Sequence, residues 1–205
     1  MKPLRTVILA KAPRPGLAKT RLIPALGASG AAQLAHRMLQ HTLQQALAAG
    51  LGPVELCRTP PETSAWERIV LPPALCLSEQ GEGDLGARMD RVAARTIGAG
   101  ESLLLIGTDC PALDTVRLRE IGDSLCCADA VMVPASDGGY VALALKRYDE
   151  SLFTGIAWST ASVGAAQRAR ITGLDWSLTL LPALHDIDEP ADLQHLPAGW
   201  ARPRV

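Results

Sequence analysis

The apolar positions of this chain change period repeatedly, and the changes mark alternating strands and helices. Thr6 to Ala10 is a short apolar run ending in Lys-Ala-Pro-Arg-Pro-Gly, the pattern of a buried strand that opens into a loop. Leu34, Met38, Thr42 and Ala46 then step by four, with Ala31, Ala35 and Leu39 beside them. This predicts a long helix capped by Ser29 and stopped at Gly50 and Gly52. Val54 to Cys57 predicts a second strand and Ala74 to Leu77 a third, while Trp66 to Leu71 is ambiguous. Leu85, Met89, Val92, Ala93 and Ile97 mark an amphipathic helix ended by Gly98 and Gly100. Leu103 to Ile106 is apolar at every position, as a strand covered on both faces must be, and is expected at the centre of the sheet.

Further along, Asp114 is placed to cap a helix carrying Val116, Leu118, Ile121 and Leu125, and Ala130 to Val133 reads as the next strand. Asp137-Gly138-Gly139 is a turn signal before Tyr140 to Leu145, so these two strands lie antiparallel or are linked by a short excursion. Ser159 or Thr160 starts a helix through about Arg170, Ser177 to Leu181 is a last strand, and Pro190 starts a terminal helix. The alternation predicts a three-layer α/β fold whose central sheet is mostly parallel with an antiparallel element late in the chain. Ligands of such sheets gather at the carboxyl ends of the strands, so the loops after Ala10, Ile106 and Val133 are where chemistry is expected.

Composition narrows the picture. A chain of 205 residues with 48% apolar and 20% charged residues fits one globular domain, 1–205, and not a disordered segment. Lysine and arginine number 20 against 21 acids, so no long-range field gathers nucleic acid or an anionic membrane, and any phosphate recognition must be local. No 18 apolar residues run together, and the first apolar stretch stops at Lys11, too short for a signal-peptide core; a cytoplasmic protein is expected. The five cysteines show no CxxC spacing, which argues against a disulfide framework or a zinc site and predicts buried free thiols.

Against this neutral background the loop after the first strand stands out. From Lys11 to Leu22 it holds Lys11, Arg14, Lys19 and Arg21 and no acid. Such a loop can surround a polyphosphate with guanidinium forks, ammonium charges and backbone N–H groups near Gly16; its bland alternative is a solvated basic loop. It is not a Walker loop, because no glycine immediately precedes Lys19. After the most buried strand, Gly107-Thr108-Asp109-Cys110-Pro111 offers the single carboxylate of Asp109, suited to Mg²⁺ or Mn²⁺ bridging phosphate oxygens or, alternatively, to an Asx-turn. Gly81-Glu82-Gly83-Asp84-Leu85-Gly86 formally matches a dinucleotide fingerprint. Its two acids sit where a pyrophosphate would lie, so its glycines are better read as letting backbone pass close to a nucleoside. Asp137 is a second metal ligand, an acceptor-orienting group or a structural acid, and Asp188 or Glu189 either caps a helix or belongs to the site. His185 beside Asp186 is an acid/base pair or, as the favoured reading, structural.

Taken in order, Lys11 to Leu22, Gln80 to Met89, Ile106 to Pro111, Asp137 to Tyr140, Trp158-Ser-Thr160 and Asp186 to Leu193 resemble the radical-SAM/selenodomain-associated transferase 1 family. The resemblance spans nearly the whole chain. That family is similar to the guanylyltransferases of phospholactate and molybdenum-cofactor pathways and shares the glycosyltransferase-A, nucleotide-diphospho-sugar transferase fold. The resemblance implies that Lys11, Lys19 and Arg21 hold nucleotide phosphates, that Asp109 holds the metal, and that Gly83, Asp84 and Leu85 border the nucleoside. The chain departs from the family pattern at Ser136, where an acid commonly precedes Asp-Gly-Gly, and at Val141-Ala142, which replaces a bulkier, glycine-containing continuation. Many fold relatives carry Asp-x-Asp where this chain has Asp109 alone, so a second ligand must come from Asp137 or Asp188.

The expectation is a Mg²⁺- or Mn²⁺-dependent transferase in which Lys19, Arg21 and Asp109 offset charge on phosphate oxygens during in-line attack by a small-molecule acceptor. Nucleotidyl transfer from a nucleoside triphosphate is favoured, because a leaving pyrophosphate carries more charge than a leaving nucleoside diphosphate. Glycosyl transfer from a nucleotide-diphospho-sugar is the alternative, and a nucleotide-binding protein without turnover the third reading. All three require the basic loop and Asp109 to face one cleft.

Overall fold

The structure, a computed structural model, describes residues 2–200. Seven strands, β1 (Leu4–Lys11), β2 (Val54–Thr59), β3 (Cys76–Glu79), β4 (Ser102–Ile106), β5 (Ala130–Pro134), β6 (Tyr140–Leu145) and β7 (Leu178–Leu180), form one sheet in the order β3-β2-β1-β4-β6-β5-β7. Only β6 runs against the rest, antiparallel to both β4 and β5. The expected class is therefore present, with β4 fourth of seven and buried at every position.

Period-two alternation explains why both faces of the sheet are apolar. Leu104 and Ile106 of β4 join Ile8, Leu56 and Val133 against helices α1 (Ile23–Ala49) and α3 (Thr115–Cys127) through Leu39, Leu43, Leu118 and Ile121. Leu103 and Leu105 point the other way, with Val7, Met132 and Leu143, toward Met89 and Val92 of α2 (Leu85–Gly98) and Ile171 of α4 (Val163–Gly173). Each fully buried leucine stabilises the fold by about 1.5–3 kcal/mol. No helix among the described residues is long and apolar enough to cross a membrane.

Several elements begin elsewhere than the pattern suggests. The long helix starts at Ile23, not after Ser29, because Pro24 is tolerated in a first turn; Gly27, at φ 67°, breaks that turn from the regular helix that follows. Ser29 thus lies inside the helix, while Gly50 ends it in the left-handed conformation as expected. Strand β3 begins two residues later than predicted, after a turn in which Leu75 N–H donates to the Pro72 carbonyl. Thr160 turns its hydroxyl back to the Ala157 carbonyl at 2.7 Å, and α4 begins only after Ser162. Pro190 starts a short 3-10 turn (Pro190–His195) rather than an α-helix. Burial of the cysteines is only partly as expected: Cys57 and Cys110 are buried, whereas Cys76 lies on the edge strand, and Cys126 and Cys127 end α3 at the surface.

Candidate active site

At the carboxyl ends of β1 and β4 lies a cleft of about 700 Å³. Its walls include the basic loop after β1, the loop after β4, the Asp137-Gly138-Gly139 turn, the start of α2 and the Trp158–Thr160 segment. The basic loop folds back as Leu17 and Ala18 N–H donate to the Arg14 carbonyl, and it ends in a 3-10 turn (Thr20–Leu22) whose Leu22 is fully buried. Between these, Lys19 holds a left-handed backbone (φ 49°, ψ 46°), which costs a non-glycine residue on the order of 1 kcal/mol.

The Lys19 ammonium lies 2.7 Å from Asp109 Oδ1, 2.6 Å from Asp188 Oδ1 and 2.6 Å from the Ile187 carbonyl oxygen. Three acceptors match the three protons of an ammonium group. Its side chain is 8% exposed, whereas those of Asp109 and Asp188 are 47% and 39% exposed, so the buried cation presents two carboxylates to the cleft. Burial alone would lower the Lys19 pKa; the charges and hydrogen bonds of Asp109 and Asp188 outweigh it and hold the pKa above its ordinary value. Asp188 is brought here because Ile187 N–H donates to the Asp109 carbonyl at 2.8 Å and buried Ile187 packs with Leu22, Leu34 and Met38. Asp192 then fixes the chain behind it, accepting from the N–H groups of Asp188 and Glu189.

Lys11, Arg21, Leu85 and Asp137 line the same cleft. Asp137 Oδ1 accepts the Gly139 N–H at 2.8 Å, so the Asx-turn considered for Asp109 belongs to Asp137. Gly138, at φ 93°, lets this turn pass against the start of α4, where Gly164 N–H donates to its carbonyl. Arg14, Gly16, Gly83 and Asp84 lie outside the lining. Arg14 and Gly16 are exposed, Gly83 takes φ 99°, and Asp84 caps α2 by accepting the Ala87 N–H at 2.9 Å. Among the described residues, no three His, Cys, Asp or Glu side chains are gathered closely enough to hold a metal ion.

Periodicity and charge do not single out three further features of this region. Gln80, buried, donates its amide to the Ala10 and Cys57 carbonyls at the ends of β1 and β2, and its oxygen accepts from Arg88, a second guanidinium in the cleft. Trp158 lies against Gly86, where an added Cβ would come within 2.2 Å of the indole nitrogen. Asp186 borders a side pocket of about 100 Å³ and is pushed up to about 6 by burial and by the charges of Asp137 and Asp188. Gln80, Arg88, Trp158 and Asp186 all fall inside segments quoted above as motifs, which is the signal that could have found them. Cys110, beside the same side pocket, is pushed up to about 11 by burial and is no thiolate nucleophile at neutral pH. His185 stacks on His195 with ring centroids 4.0 Å apart and lies outside the cleft lining.

The sheet order, its antiparallel β6 and a cleft at the carboxyl ends of the parallel strands define a fold of the nucleotide-diphospho-sugar transferase and cytidylyltransferase type. A "putative nucleotide-diphospho-sugar transferase" from Desulfovibrio desulfuricans G20 superposes with a TM-score of 0.87 at 25% identity, covering 100% of this chain and 92% of that one. CMP:2-keto-3-deoxy-manno-octonic acid synthetase in complex with CTP matches at a TM-score of 0.59 with 11% identity over 94% of both chains. Rv0371C of Mycobacterium tuberculosis H37Rv, in complex with manganese, matches at 0.54 with 18% identity over 96% of this chain and 98% of that one. These last two likenesses establish the fold alone. Residues 42–160, more than half of the chain, match the family described as "Uncharacterized protein conserved in bacteria" (DUF2064), and the chain belongs to that family. No curated protein matches it.

Proposed function

We propose that the protein is a metal-dependent nucleotidyltransferase of the radical-SAM/selenodomain-associated transferase 1 type, with 1–205 as one domain, joining a nucleotide from a nucleoside triphosphate to a small acceptor with release of pyrophosphate. The observation that carries this reading is the convergence of the basic loop and Asp109 on one point, 2.7 Å from Lys19 Nζ to Asp109 Oδ1, at the carboxyl end of the central strands. Lys11, Arg21 and Arg88 are the cations for phosphate and nucleoside oxygens. Leu17 and Leu85, 45% and 43% exposed, line the same cleft and give a base an apolar contact.

Asp109 and Asp188 converge on one ammonium with their side chains open to the cleft and supply hard oxygen donors of the kind Mg²⁺ or Mn²⁺ takes beside substrate phosphates. Asp109 and Asp188 would hold such an ion, and Asp137 lines the same cleft beside them. The ion's chemistry is to offset charge on phosphate oxygens. The chain's own residues do the rest: Lys11 and Arg21 hold the phosphates in line, and Asp137 and the Trp158–Thr160 segment border the space left for an acceptor. Arg88, fixed by Gln80 and the Gly83 carbonyl, supports the nucleoside end.

Glycosyl transfer from a nucleotide-diphospho-sugar is the second reading, favoured by the likeness to the Desulfovibrio protein and by the commitment of Lys19 to carboxylates rather than to phosphates. Incubation with Mg²⁺, each nucleoside triphosphate and a panel of hydroxyl and phosphate acceptors separates the two. Pyrophosphate release is the expected result. Nucleoside diphosphate released from a sugar nucleotide would replace it with the second reading, and binding without turnover of either donor would leave a nucleotide-binding protein.

A further inference from the structure

Lys19 has no proton left for a phosphate in this arrangement, since two carboxylates and one carbonyl take all three. A divalent cation placed on Asp109 and Asp188 would meet a like charge a few ångströms away. The carboxylate pair can therefore satisfy one cation well, but not both at once. Lys19 also belongs to the loop whose Lys11 and Arg21 line the same cleft, so a bound phosphate chain offers its ammonium new acceptors within reach of its four-carbon stem.

We infer that Lys19 is an exchangeable counter-ion: it holds the Asp109–Asp188 pair together and yields that pair to a divalent cation by transferring its own ammonium to the phosphates of an incoming nucleotide. The inference rests on the metal-dependent reading above and adds a positioning role to it. No bond to hydrogen is made or broken; the lysine stays protonated and trades two carboxylate partners for phosphate oxygens. Nucleotide and metal are then reciprocally coupled, each raising the affinity for the other, because each removes the partner that the other displaces.

The test compares wild type with Lys19→Met by counting free Mn²⁺ through its electron paramagnetic resonance signal, without nucleotide. The exchange predicts that Lys19→Met binds Mn²⁺ about tenfold or more tightly than wild type, since the resident cation is gone. Equal or weaker binding by the variant overturns the exchange and leaves the metal reading standing. Binding by neither protein, with or without a nucleoside triphosphate, overturns both. A second measurement needs no variant. The chain has only four lysines, Lys2, Lys11, Lys19 and Lys146, so ¹⁵N-lysine spectra can follow the Lys19 ammonium directly. Its signal must shift when Mg²⁺ and inorganic pyrophosphate are added together to calorimetric saturation, and a signal unmoved at saturation overturns the proposal.

Discussion

Charged clusters sit at both ends of the sheet, and they are built inside out relative to each other. At the amino ends of the strands, the Glu55 carboxylate is the buried member, its side chain 4% exposed, held by Arg95, Ser78 and Arg5, while Glu101 takes the rest of the Arg5 guanidinium. At the carboxyl ends the cation is buried and the acids face the cleft. The two arginines and two glutamates of the first cluster neutralise one another, and burial is outweighed by the Arg95 and Ser78 hydrogen bonds and the arginine charges, so the Glu55 pKa lies below its ordinary value. In the second region Lys19 is set among Asp109, Asp188 and, nearby, Asp137 and Asp186, and burial with like charges pushes Asp186 up to about 6. A cluster whose charges are spent on one another supports the fold; one whose carboxylates keep free oxygens on a cleft is ready for a ligand.

Five changes would break or sharpen this contrast. The largest effect is expected from Asp109→Asn, which keeps the shape of the loop and removes its charge: metal-dependent nucleotide affinity and turnover should fall by about 10²–10³-fold, with a cooperative folding transition retained in calorimetry. Glu55→Gln should show the reverse, a loss of about 2 kcal/mol in denaturant unfolding, set below the full buried-pair figure because Arg95 is half-exposed, with nucleotide affinity retained. Because the folded pKa of Glu55 is lowered, its contribution is complete above the ordinary value of 4.5 and fades as the pH falls through the folded pKa. The gap between wild type and Glu55→Gln should therefore narrow in acid.

Gly138→Ala tests the turn that carries Asp137 into the cleft. A Cβ there would lie 2.2 Å from the Ala161 carbonyl at a φ of 93°, so the turn must part from the start of α4. A loss of about 1–2 kcal/mol is expected, or roughly 2–8 °C in Tm. The smallest pair of effects separates two neighbours on the basic loop. Lys11→Ala, in the cleft, should weaken nucleotide binding about tenfold, while Arg14→Ala, outside its lining, should change it less than about twofold; titration calorimetry reads both.

How far the chain could be read in advance follows from the range of the interactions. The all-apolar run of β4, the Asp114 position ahead of its helix and the glycine stop at Gly50 are local signals, and the structure carries each of them, whereas Asp84, expected to border the nucleoside, instead caps α2. The cleft is legible too, because loops after parallel strands share one end of the sheet, which brings Lys19 to Asp109. What escapes is set by distant partners. Nothing in the spacing of residues says that Asp188, 169 positions from Lys19, completes the ammonium's shell, or that Gln80 spends its amide on two strand ends. The first turn of α1 was hidden for a different reason, since Pro24 and Gly27 read as loop until burial of Leu22 and Leu26 against Ile187 is known.

The most direct test of the central claim is a crystal grown with Mn²⁺ and a nucleoside triphosphate, examined for manganese anomalous scattering. The account predicts a peak within bonding distance of Asp109 and Asp188 oxygens, with the triphosphate held by Lys11 and Arg21. A peak away from both aspartates, or a triphosphate bound with Lys11 and Arg21 still facing solvent, would contradict it.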